Sequence, residues 1–140
     1  MEKRDFLMDQ IELLGQALAN IFSKLYGLSN QGKVPEAVEM VNESLKTELD
    51  LDLAELSSIP TEDFIRTLQV NKKLNHANLE KLADILLLIA DDQKLRKTGH
   101  NQDLNLYEKC LNLYNYLNNS DLTYSFERQS KIERIESLLS

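Results

Sequence analysis

Residues 6–25 read FLMDQIELLGQALANIFSKL, and the spacing of their apolar side chains decides the fold class. Leu7, Ile11, Leu14, Leu18, Ile21 and Leu25 recur at intervals of four and three, which places them on one stripe of a long helix. Phe6, Leu13, Ala17 and Phe22 widen that stripe. Gly15 sits inside it at a cost of about 1 kcal/mol relative to alanine, which is understandable if a neighbouring helix approaches closely there. Gly27, followed by the polar stretch Ser29 to Lys33, is the expected stop.

The same period continues along the chain. Pro35 and Glu36 suit the first turn of a second helix, with Ala37, Val38, Val41, Ser44 and Leu45 facing inward and an end near Thr47 to Leu49. Leu49, Leu51 and Leu53 alternate as a strand would, but over too few residues to build a sheet, so residues 51–59 read as a short helical turn or linker. Pro60 opens a brief helix to about Gln69, through Phe64, Ile65 and Leu68. Asn75 is the expected N-cap of a fourth long helix carrying Leu79, Leu82, Ala83, Leu86, Ile89 and Ala90. Asp91 to Gln102 reads as a polar break, with Asp91-Asp92 helping to end that helix. Beyond it, Leu104, Tyr107, Leu111, Tyr114 and Leu117 mark another helix, and after the turn Asn118 to Asp121 a last one carries Phe126, Ile132, Ile135 and Leu139. The expectation is an all-α single domain over residues 1–140, with about five long helices and one or two short ones.

Composition agrees with that class. A chain of 140 residues buries a continuous core without disulfides or a structural metal, and four glycines and two prolines are too few for the many tight turns of a β-sandwich or barrel. The net charge of −7 lies in the first half, where residues 1–70 hold 6 basic and 13 acidic side chains against 10 and 10 in residues 71–140. Between Glu36 and Asp63 nine acids, Glu39 and Glu43 among them, face only Lys46, a surface that repels phosphate backbones and favours basic partners. Nucleic acid is therefore not an expected partner. The longest run free of polar residues is Ile85 to Ala90, too short for a membrane span, and no apolar stretch follows the charged N-terminus as in a signal peptide. A single cysteine, Cys110, suits a reducing compartment, and the cytoplasm is the expected location.

Two stretches resemble tetratricopeptide repeats, in which paired helices pack small residues at their close crossing. Gly32-Lys33-Val34-Pro35-Glu36-Ala37-Val38, with Val41, Ser44 and Leu45, is similar to the second half of a repeat. Leu79, Leu82, Ala83 and Leu86 are similar to a first helix, and Tyr107-Glu108-Lys109-Cys110-Leu111 to a second, with Cys110 at the small position. Leucine replaces the usual aromatic residue at position 79, and 21 residues separate Leu86 from Tyr107 where the repeat allows about 13, so a longer inter-helix loop is expected. Nearly the whole chain also resembles an uncharacterised bacterial family with a tetratricopeptide-like fold, through residues 5–12 with Leu14, Gly15, Ala17 and Leu18, through Leu49-Asp50-Leu51 with Leu56-Ser57, and through residues 106–111. The resemblance implies antiparallel helical hairpins stacked in a short right-handed superhelix, and brings no activity, cofactor or catalytic residue.

Chemistry-bearing residues are sparse. His76 and His100 have no partner at metal-ligand spacing, and Cys110 between Tyr107 and Leu111 reads as a small core residue rather than a nucleophile. Asp50, Asp52 and Glu55 lack the glycine and the closing acid of a calcium loop, and Lys97-Thr98-Gly99 lacks the leading glycines of a phosphate loop. No catalytic, cofactor or metal residue is assigned. Tyr107, Tyr114 and Tyr116, with Tyr124 and Phe126, gather aromatics near the C-terminus, where tyrosines suit a half-apolar contact surface. The expected function is a protein-interaction adaptor that takes a protein or basic peptide between its hairpins, with Tyr107, Tyr114, Tyr116, Glu39 and Glu43 as candidate contact residues. One alternative is a structural homodimer paired through the first helix, whose stripe has heptad spacing. The other is an enzyme or small-ligand protein with a site around His100, Asp91 and Tyr107.

Overall fold

A computed structural model describes the backbone of residues 2–72, 74–96, 100–120 and 125–140, and the side chains of those residues apart from 2–9, 29, 34–35, 93–96 and 100–104. Among the described residues the chain forms seven α-helices and no strand: α1 Glu2–Asn30, α2 Val34–Leu49, α3 Leu53–Ser58, α4 Thr61–Val70, α5 His76–Arg96, α6 His100–Ser120 and α7 Phe126–Leu139. None is long and apolar enough to cross a membrane.

The stripe read in residues 6–25 is the inner face of α1. Leu18 and Leu25 are fully buried, Ile21 nearly so and Leu14 half-buried, while the side chains of Phe6 and Leu7 lie outside the described residues. α1 packs along α2 and along α5, α5 packs along α6, and α6 carries α7. The short helices α3 and α4 lie against α6. The longest helix therefore stands between α2 and α5, and the neighbours in space run α2, α1, α5, α6, α7. One cluster of buried side chains joins them, with Phe64, Tyr107 and Tyr114 its largest fully buried members.

Gly15 meets a close approach, as the sequence led us to expect. A methyl group there would sit 2.9 Å from Asn78 Oδ1, and Asn78 Nδ2 donates to the Ile11 carbonyl at 3.2 Å, so a short polar side chain of α5 lies directly against the α1 backbone. Gly27 is not the stop. α1 continues through it to Asn30, and the left-handed residue that ends the helix is Gly32, at φ 74°, with Lys33 N–H returning to the Leu28 carbonyl at 2.9 Å.

The alternating leucines 49, 51 and 53 have a helical origin. Asp50 adopts a left-handed conformation (φ 54°) that ends α2, and Asp52 caps α3 by accepting from Ala54 N–H at 2.9 Å. Both aspartates mark the chain reversal while Leu49 and Leu51 drop into the core. Asn75 caps α5 through its side chain, which accepts from Asn78 N–H at 2.9 Å, and Ser125 caps α7 by accepting from Arg128 N–H at 3.2 Å.

The expected polar break at Asp91 to Gln102, and the longer inter-helix loop expected from the Leu86 to Tyr107 spacing, are both corrected. α5 runs on through Asp91-Asp92 to Arg96, and α6 begins at His100, leaving only residues 97–99 between them. The acids do not end the helix because Asp91 is bound by a hydroxyl of α6 and a guanidinium of α7. Lys97-Thr98-Gly99 lies outside the described residues, as do Tyr124 and the side chains of Leu104 and His100.

Candidate functional site

α2 covers one flank of α1 only as far as its own end at Leu49. Beyond that point no helix among the described residues covers the α1 face turned towards the end of α4, and the structure has an open groove there of about 710 Å³. Ile11, Leu13, Leu14 and Ala17 of α1 form its floor with Leu74. Gln10, Glu48, Gln69, Lys72 and Asn75 supply a polar rim. A second, smaller depression of about 260 Å³ continues along α1 towards Lys24, between Gln16, Asn20 and the Ser44 flank of α2. The two share Leu13, Ala17 and Glu48, so they form one elongated feature from Gln10 to Lys24, about 21 Å at the helical rise.

Leu13 is the ridge within this feature, and it is 63% exposed. The sequence placed it on the widened inner stripe. It lies outside that stripe because it sits about 100° around the helix from Leu14, on the flank that α2 vacates. The charges along the groove alternate: Lys72 at one end, Glu48 in the middle and Lys24 at the other end. Lys72 is held by the Asp50 carbonyl at 2.6 Å, which fixes the α4 end of the rim.

The candidate contact residues read from the sequence do not come together. Tyr107 and Tyr114 are buried, at 1% and 0% exposure, and present no surface. Their hydroxyls donate to Asp91 Oδ1 at 2.6 Å and Asp84 Oδ1 at 2.5 Å. Burial, reinforced by Asp84, pushes the Tyr114 hydroxyl far above the usual range, so it stays a donor. Tyr116 is half-buried and lies one bond from the groove, accepting from the rim residue Gln69 at 2.6 Å, with the His76 ring edge-on at 5.5 Å. Glu39 and Glu43 are exposed on α2, and neither lines the groove.

Asp91 and Tyr107, two members of the catalytic alternative, do meet, but as part of a structural ladder. Asp91 also accepts from both terminal nitrogens of Arg134 at 3.0 and 3.1 Å, and that carboxylate holds the guanidinium pKa above its ordinary value. Lys131 reaches Asp84 at 3.0 Å, and Arg128 makes a two-pronged contact with Glu80 at 2.7 and 3.0 Å. Each acid is thus engaged by a base of α7. Cys110 lies on the same α6 face, fully buried, with its thiol pushed far up by burial. Among the described residues no group of three histidines, cysteines or acids is placed to hold a metal ion. Asp52 is engaged by Ala54 N–H and by Lys46 at 3.3 Å.

The groove was the feature that sequence reasoning missed. Its signal was Leu13, one step off the strict stripe. Compared with protein-family models, with curated proteins and with solved structures, the chain matches none.

Proposed function

We propose that this chain is a small protein-binding adaptor of tetratricopeptide-like type, without a catalytic role, whose groove along α1 receives a short segment of a partner protein in the cytoplasm. The observation that carries the reading is the uncovered apolar floor of α1 with Leu13 at its centre. An exposed leucine beside a concave apolar surface is the arrangement that anchors a partner side chain. The elongated outline favours a length of chain over a compact small molecule. The rim, with Glu48 between Lys72 and Lys24, selects a segment with one or two apolar anchors, a basic residue placed to reach Glu48 and acceptor groups towards the two lysines, so any preference for a basic residue rests on that one acid and not on Glu39 and Glu43.

The test is affinity capture with three tagged forms: wild type, Leu13→Glu and the pair Glu39→Lys with Glu43→Lys. A partner that co-purifies with wild type and with the α2 pair, but is lost with Leu13→Glu, is the expected result. Equal recovery with all three forms would remove the groove from the account.

The homodimer alternative is weakened by the burial of Leu18, Ile21 and Leu25 inside the chain's own core. A seam through α1 would have to use the Leu13 face instead. Light scattering separates the readings, because a dimer that dissociates on Leu13→Glu would make the second copy the occupant.

A further inference from the structure

The two halves of the groove along α1 differ in chemistry. At the Gln10 end the floor is apolar from Ile11 to Ala17, with Leu74 beside it, and these α1 residues span about 9 Å at the helical rise. Towards Lys24 the lining turns polar: Gln16, Asn20 and Lys24 of α1 face Ser44 and Glu48 of α2, and Ile21, the apolar residue added in this half, is 4% exposed. A partner helix lying along the whole length of about 21 Å would make about four turns, and an apolar stripe on it would meet apolar floor under only about two of them. Its other turns would press apolar side chains onto amides and charges, which lose water there without gaining a partner. The divided floor therefore disfavours a helix.

Gln16 and Asn20 supply what an extended segment needs. They stand at i and i+4, about 6 Å apart along the helix, and two residues of an extended chain span about 6.6 Å. Both side chains are exposed. A carboxamide carries an acceptor oxygen and an NH2 donor, so it can pair with the N–H and C=O of one residue of an extended chain, and the next carboxamide with those of the residue two further on. Such pairing is required, because peptide groups laid in a groove leave water, and the described residues of this chain include no strand whose edge could receive them. Gln69 and Asn75 on the rim are committed elsewhere, to the Tyr116 hydroxyl at 2.6 Å and the Asn78 N–H at 2.9 Å.

We propose that the occupant of the groove is an extended segment of a partner protein, about six residues long at about 3.3 Å per residue, with its main chain held by Gln16 and Asn20 and one or two apolar side chains seated beside Leu13. This rests on the reading of the groove as a partner site and adds the form of the partner. Charge sets the register: Glu48 between Lys72 and Lys24 takes a base flanked by acids. A second copy of this chain is a poor occupant, since lysine, glutamate, lysine reads the same from either end and in-register pairing sets like charges together. Recognition is divided, the main chain giving affinity that tolerates changes of sequence, the anchors and charges giving the choice of segment.

The experiment pans a phage library of random twelve-residue peptides on the full wild-type chain, after subtraction on Leu13→Glu, and measures synthetic forms of the enriched peptides by fluorescence anisotropy. They should share a base between two acids and an apolar residue. Gln16→Met with Asn20→Leu keeps side-chain size and removes both carboxamides, and it should weaken every enriched peptide at least tenfold whatever its sequence. Methylation of single backbone nitrogens in a peptide should cost tenfold or more at two nitrogens with one residue between them and little elsewhere, a pattern the wild-type chain reports by itself should the double variant not fold. Full affinity in the folded double variant, methylation tolerated at every position, or peptides that turn helical on binding and lose affinity at every interior nitrogen each overturns the proposal and leaves the groove reading standing. If wild type retains no peptide that Leu13→Glu does not, the groove reading fails and this inference with it.

Discussion

Gly27 and Gly32 make opposite demands on the chain. Gly27 has helical backbone and nothing within 4 Å of where a methyl group would lie, so Gly27→Ala should stabilise the protein by about 1 kcal/mol. Gly32 holds a φ of 74°, and Gly32→Ala should destabilise it by about 1–2 kcal/mol. Urea midpoints that move in opposite directions are the expected result. Lys109 makes a different kind of demand. It is 3% exposed, with its ammonium 3.3 Å from Asn105 Oδ1, 3.5 Å from Thr61 Oγ1 and 5.4 Å from the centre of the Phe64 ring. These neutral partners only partly replace water, so burial lowers its pKa below 10.5. A lowered amine pKa means that the folded state carries a penalty for the charge at neutral pH, which disappears as pH rises through the folded value towards 10.5. Lys109→Met should lack that gain, so the stability of wild type relative to the variant should rise between pH 7 and pH 10 in paired urea titrations. Comparing the two proteins cancels the opposing contributions of Tyr114 and Cys110, whose raised values destabilise the fold in alkali.

At the scale of elements, the ladder between α5 and α7 is uneven. Arg128 is 6% exposed and grips Glu80 with two nitrogens, whereas Arg134 is 47% exposed. Arg128→Ala should therefore cost about 2–4 kcal/mol, and Arg134→Ala about 1 kcal/mol or less, in denaturant midpoints at low salt. The same ladder explains what local reading of the sequence reached and where it stopped. Helix starts were legible at Pro60 and Asn75 because a cap or a fixed φ acts within a few residues. The length of α5 was not, because Asp91 is held by Arg134, 43 residues away, and nothing near Asp91 announces that partner. Gly27 misled for a related reason: glycine permits a left-handed turn, and Gly32 five residues later is the one whose backbone takes it.

For the whole molecule, the all-α class followed from one period repeated along the chain, and the buried stripe of α1 from Leu14 to Leu25 follows it closely. The groove did not follow from any period, since it exists where α2 ends and α4 has not yet closed over α1. It is a property of how helix lengths differ, which the spacing of apolar residues does not encode. Of the residues chosen from composition, Tyr107 and Tyr114 fell into the interior, Tyr116 lies half-buried beside the groove rim, and Glu39 and Glu43 lie exposed on α2. Leu13→Glu should accordingly leave stability within about 0.5 kcal/mol of wild type, as expected at an exposed site, while removing partner binding. The most direct measurement places a photo-activatable amino acid at position 13 in the native cell, with positions 39 and 43 as controls. A discrete heavier adduct containing another protein is the expected result from position 13, with none from the controls. No adduct at position 13, or the same adducts from all three positions, would contradict the groove's role as a partner site.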